Sequence, residues 1–91
     1  MEKAQVTDLY QASYLLLNGC ELTGIECIPT GKAVSCTLYF QGTEVQTRLE
    51  HWYEKNAVVN LWDFRTAYNQ INSFIHQAKK SYSRREQEVQ R

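Results

Sequence analysis

Two histidines and three cysteines are the groups in this 91-residue chain whose chemistry is hardest to replace, so their spacing is the first test of any reaction it could run. His51 and His76 fall on separate amphipathic segments, outside H-x-x-x-H and H-E-x-x-H spacing, and neither G-x-S-x-G nor a glycine-rich phosphate loop occurs. Glu50, His51 and Glu54 form a polar triplet in which a carboxylate could poise an imidazole as a base. On a charged helical stretch that triplet reads instead as a solvated face. Cys20, Cys27 and Cys36 are odd in number, with six and eight residues between them, so they write neither C-x-x-C nor paired zinc ligands. Reduced core thiols are expected, with Cys27 and Cys36 buried and Cys20 alone left as a conceivable nucleophile. Neither enzyme chemistry, nor a metal, nor a cofactor is therefore expected.

The elements around these residues are those of one small α+β domain. A first helix opens at Thr7-Asp8, a capping residue followed by an acid, and closes at Asn18-Gly19. From Glu21 the apolar period changes to two, and Pro29-Thr30-Gly31-Lys32 supplies a turn before Ala33 to Phe40, which predicts a β-hairpin. Centring that turn between Thr30 and Gly31 sets Ile25 opposite Cys36 and Cys27 opposite Val34. One face then carries Ile25, Cys27, Val34, Cys36, Leu38 and Phe40 and the other Glu26, Ser35, Thr37 and Tyr39. Thr43-Glu44-Val45-Gln46 matches a capping box and opens a second helix that ends in Glu54-Lys55-Asn56. Ala57-Val58-Val59 either adds a short third strand or simply fills a gap. Asn60 then caps the longest periodic segment, in which Phe64, Ala67, Tyr68, Ile71, Phe74, Ile75 and Ala78 recur on one face. The predicted order is α-β-β-α-α, a β-hairpin or short antiparallel sheet packed by three helices, the last of them long. Residues 1–82 make the domain, and 83–91 form a basic helical tail free to fray.

Composition excludes several classes of function. Ten Lys and Arg balance ten Asp and Glu, so no global field draws the chain to nucleic acid or to an anionic membrane. The longest apolar run, Tyr14 to Leu17, is far below the ~20 residues of a membrane span. The opening Met1–Gln5 lacks the layout of a secretory leader, and a cytoplasmic protein is expected. Charge is nevertheless polarised. Residues 79–91 hold five basic and two acidic groups, net +3, against five and eight, net −3, in the remainder.

The aromatic content of 12% exceeds what a two-layer core of this size needs. Tyr39, Trp52, Tyr53 and Trp62 are therefore the candidate contact residues of a protein interface, with the chain itself as the expected partner in a homodimer. A different class of partner is nucleic acid, held through Arg65, Lys79, Lys80, Arg84 and Arg85 with steep salt dependence. A third reading keeps a small nucleotide between subunits, stacked on aromatic rings with Arg48 or Arg65 on its phosphate.

Thr7-Asp8-Leu9-Tyr10, Ala12-x-Tyr14-Leu15, Asn18-Gly19 and Val59-Asn60-Leu61-x-x-Phe64, with a hairpin between, resemble a domain-of-unknown-function family of short proteins from bacteria, their prophages and plasmids. The resemblance covers residues 5 to 78. It implies a small cytosolic domain of mobile-element origin and carries over no catalytic residue. Joined to the residue pattern, it points to a non-catalytic module, phage or mobile-element encoded, that engages a host protein or a defence component. The nucleic-acid accessory and the nucleotide sponge are the alternatives.

Overall fold

A computed structural model describes residues 1–31 and 33–89, with side chains as far as Tyr82. Its elements run β1 (Glu2–Val6), α1 (Leu9–Leu17), β2 (Glu21–Thr30), β3 (Ala33–Gly42), α2 (Val45–Tyr53) and α3 (Leu61–Val89). The α+β class, the hairpin, the three helices and the long final helix agree with the sequence. The order gains a strand at its start. The sheet is antiparallel in the order β1-β3-β2, so β3 is central and is paired along both edges. Ala57-Val58-Val59 forms no strand, and the third strand comes from the N-terminus instead.

The helix ends show local chemistry at work. Asp8, rather than Thr7, caps α1: its carboxylate accepts from the Tyr10 and Gln11 amides at 2.8 and 3.1 Å. At the other end Gly19 adopts φ 83°, and the Gly19 and Cys20 amides donate to the Leu16 and Leu15 carbonyls. This two-bond closure needs a left-handed residue, for which glycine has no side-chain penalty. Asn60 caps α3 as expected, its side-chain oxygen accepting from the Trp62 and Asp63 amides.

The capping box at Thr43 does not form. The helix begins one residue later, Glu44 makes no side-chain cap bond, and the Gln46 amide donates 2.8 Å to the carboxylate of Glu2. The Gln46 side chain in turn donates to the Lys3 carbonyl. An orphan donor at the start of α2 is thus satisfied by β1, a segment 44 residues away in sequence.

The hairpin turn sits one residue later than the sequence suggests. Thr30 pairs with Ala33, so the connection is Gly31-Lys32, and Gly31 takes φ 64°, which a two-residue hairpin turn demands of its first central residue. Ile25 therefore lies opposite Leu38, and Cys27 opposite Cys36. The displacement moves each partner by two positions. Because strand side chains alternate with period two, the inner face keeps the same members.

That inner face is where the core lies. Val6, Cys36, Leu38 and Phe40 from the sheet meet Ala12 and Leu15 of α1, Val45 and Leu49 of α2, and Ile71 and Ile75 of α3 in one buried cluster. Helix α1 packs on both other helices, α2 on β1, and α3 on α1 and β2. Along α3 the buried seam is Ala67, Ile71 and Ile75, at intervals of four. Phe74, expected on the core face, is 40% exposed. It sits at the flank of the seam, over the edge of β2 beside Leu22 and Ile25. At about 1.5 Å per residue α3 is ~44 Å long, and it sets the long dimension of a molecule measuring 49 × 27 × 21 Å. No helix among the described residues is long and apolar enough to cross a membrane.

Candidate functional site

Helix α1 is the spine on which the aromatic residues are arranged. Tyr10 stacks on Phe64 and Tyr68 of α3, with ring centroids 6.2 and 5.3 Å apart. One turn on, Tyr14 is buried against Trp52 of α2 at 5.6 Å. Between them the buried Gln11 amide donates 3.1 Å to the Tyr53 hydroxyl. Three positions of α1 thus contact four aromatic residues of its neighbours.

Beyond these anchored rings the α2–α3 connection turns apolar groups outward. Tyr53 is 70%, Val58 90%, Leu61 73% and Trp62 68% exposed. A concavity of about 490 Å³ lies among Trp52, Tyr53, Lys55 and Ala57. Trp62 faces away from Phe64, since two helical residues are separated by roughly 200°. Its ring is covered instead by the Arg65 guanidinium, 5.7 Å from the centroid. Chain reversal at this junction relies on Lys55, the one described non-glycine residue with positive φ, 61°. The Lys55 and Asn56 amides close α2 on the Trp52 and His51 carbonyls. Lys55→Gly is expected to raise stability by about 1 kcal/mol in urea denaturation, because glycine takes this conformation without steric penalty. An unchanged or lowered midpoint would show that the lysine side chain contributes more than its strain costs.

Tyr39 belongs to a different surface. It projects from the open face of the sheet, where its hydroxyl donates 2.5 Å to Glu26 and Gln41 donates 2.8 Å to Glu21. A wider concavity of about 540 Å³ lies on this face among Lys3, Gln5, Thr23, Tyr39 and Gln41. The Thr23 hydroxyl also donates there, to the Tyr39 carbonyl. The structure therefore places Trp52 and Tyr53 at the end of α2 and Trp62 at the start of α3, on either side of their connection, and leaves Tyr39 on the open face of the sheet.

The basic candidates are dispersed. Arg48 on α2 reaches Glu44 at 3.4 Å, and its Nε is buried with no partner among the described residues. It lies near enough to Cys20 to favour the thiolate there. Arg65 is on α3 over Trp62, and Lys79 on α3 exerts the same influence on Cys36. Lys80 is exposed. The side chains of Arg84 and Arg85 lie outside the described residues. Of the histidines, His51 is half-buried on α2 and His76 exposed on α3. No group of three or more metal-ligating side chains forms among the described residues.

The thiols give the molecule an alkaline limit. Cys20 and Cys36 are buried and Cys27 is half-buried. Burial, followed by a hydrogen bond with Cys27, pushes Cys36 from its ordinary 9.0 up to about 11. Burial also raises Cys20, and the bond to Glu26 raises the Tyr39 hydroxyl. All three shifts have one sign. Between its unfolded and folded values Cys36 holds a proton in the native state that the unfolded chain has lost, so the stability this group contributes is complete below pH 9 and is lost as pH climbs through about 11. The thermal midpoint is expected to fall between about pH 9 and about pH 11, and to fall less steeply in Cys36→Ala. Parallel slopes in the two chains would contradict that assignment.

By its fold the chain is a small α+β domain, a three-stranded antiparallel sheet with helices against one face. In comparison with known proteins it matches no family model, no curated protein and no solved structure.

Proposed function

We propose that the chain is a non-catalytic protein-interaction module that pairs with a second copy of itself through the aromatic junction between α2 and α3. The observation that carries this reading is the exposure of Tyr53, Val58, Leu61 and Trp62 within ten consecutive residues. Water-facing tryptophan and tyrosine flanked by polar groups are the usual anchors of an interface. A second copy is the occupant because the chain is electrically self-complementary: residues 79–91 carry net +3 and the remainder net −3. Antiparallel pairing sets each basic helix end against the acidic body of its neighbour. In the setting of prophages and plasmids that the sequence resembles, the paired module engages a host protein or a defence component.

Sedimentation velocity of the full chain at low and moderate salt tests the pairing. A dimer that persists at moderate salt, with no added ligand mass in native mass spectra, supports it. A monomer at every concentration overturns it. Co-purifying nucleic acid that dissociates as salt rises would favour phosphate contacts by the basic helix end instead.

A further inference from the structure

Cys36 belongs to the buried core and Cys27 packs against it, yet the register of the hairpin also brings the two thiols together. They are directly opposed on the antiparallel strands β2 and β3, both on the inner face, and their sulfurs are 3.3 Å apart. Directly opposed residues of such a pair have Cα atoms roughly 4.5–5.5 Å apart, inside the ~4.4–6.8 Å window that a disulfide spans. The two-residue turn three pairs away keeps this register from slipping. Access is unequal. Cys36 is buried, whereas Cys27 is half-buried and borders a gap of about 140 Å³ between the hairpin and α3, lined by Ile25, Ala78, Ser81 and Tyr82.

We propose that Cys27 and Cys36 form a dithiol modification site, which a low-molecular-weight disulfide such as oxidised glutathione converts to a cross-strand disulfide. Cys27, reached through the gap beside α3, attacks one sulfur of the oxidant as its thiolate and releases one equivalent of thiol. Cys36 then attacks the Cys27 sulfur of the mixed disulfide and expels the second equivalent. The two thiol protons end on the two released thiols, and the oxidant takes up the two electrons that the protein loses. Burial and the bond that its own thiol makes to Cys27 hold Cys36 protonated, and Cys27 is the more exposed of the two, which makes Cys27 the entry point.

The test exposes the full chain, and a Cys20→Ala variant shown to be folded by circular dichroism, to buffers of decreasing reduced-to-oxidised glutathione ratio. Intact mass is expected to fall by about 2 Da in both, without a lasting glutathione adduct, as each pair of thiol hydrogens is lost. Trypsin cuts after Lys32, so the disulfide would join the peptide of residues 4–32 to that of residues 33–48, with fragmentation assigning Cys27 rather than Cys20. Cys36→Ala should instead retain one glutathione on Cys27. A persistent adduct on Cys27 in the unmodified chain, a covalent dimer, or no mass change under strongly oxidising ratios would each overturn the proposal. The peptide map of the unmodified chain decides the matter even if a variant fails to fold.

Discussion

Phe40→Ala is expected to destabilise the domain by about 3–5 kcal/mol, the usual range for removing a fully buried phenylalanine. The ring is 1% exposed and sits on β3, the strand bonded on both sides, between Ala4 of β1 and Leu22 of β2. Neither neighbour can follow it into the space it leaves. Ala4 has only a methyl group, and Leu22 adjoins the register shift between Leu22 and Gly24, where Thr23 is left out of the pairing. A chain of this length has a total stability of roughly 5–14 kcal/mol, so the substitution removes a large share of it. Urea denaturation followed by far-ultraviolet circular dichroism measures the loss directly. Phe74→Ala is the internal comparison, because the same side chain at 40% exposure should cost about 1 kcal/mol or less. Equal costs at the two positions would mean that β3 is not the centre of the core.

Which parts of this arrangement were legible in the sequence follows from the range of the interactions that set them. Asp8, Gly19 and Asn60 act on amides and carbonyls within five residues, and the helix ends they mark could be read directly. Strand β1 could not. It offers only Ala4 and Val6 to the core, between Glu2, Lys3 and Gln5, and its strand character comes from pairing with β3, some 35 residues away. The same distance hid Glu2, whose carboxylate takes the amide at the start of α2 that a local capping box would have bonded.

The candidate surface was legible by residue type and obscure in direction. Trp52 and Tyr53 line one concavity at the end of α2 while Trp62 lies across the connection on α3, and no local signal tells that Trp52 is pinned by Tyr14 while Trp62 turns outward under Arg65. Tyr39 was read correctly onto the open face of the hairpin, yet a single chain of apolar periodicities does not say that the helices all cover the other face. The opposition of Cys27 and Cys36 was missed because the turn centre lies one residue later than expected. A shift of that size preserves every side chain's face and changes every side chain's partner.

Trp62→Glu is expected to weaken self-association by about 30-fold or more while leaving the fold intact, since tryptophan anchors of interfaces carry on the order of 2 kcal/mol or more. The separation of the two effects rests on where the ring is. It is 68% exposed, on the side of α3 opposite the Ala67, Ile71 and Ile75 seam, and among the described residues its ring is met by the guanidinium of Arg65. A carboxylate at this position in the first turn of α3 is compatible with the helix dipole, so the helix itself does not suffer. In a buried interface the same carboxylate would be desolvated without a matching cation other than Arg65. Sedimentation velocity over a concentration series gives the dissociation constant, and thermal denaturation at high dilution checks the fold. Tyr39→Glu belongs in the same series, because it places a second carboxylate beside Glu26 on the open sheet face. Loss of pairing in Trp62→Glu with retention in Tyr39→Glu assigns the interface to the α2–α3 junction. The reverse pattern would move it to the sheet, and unaltered pairing in both would leave neither aromatic surface as the contact.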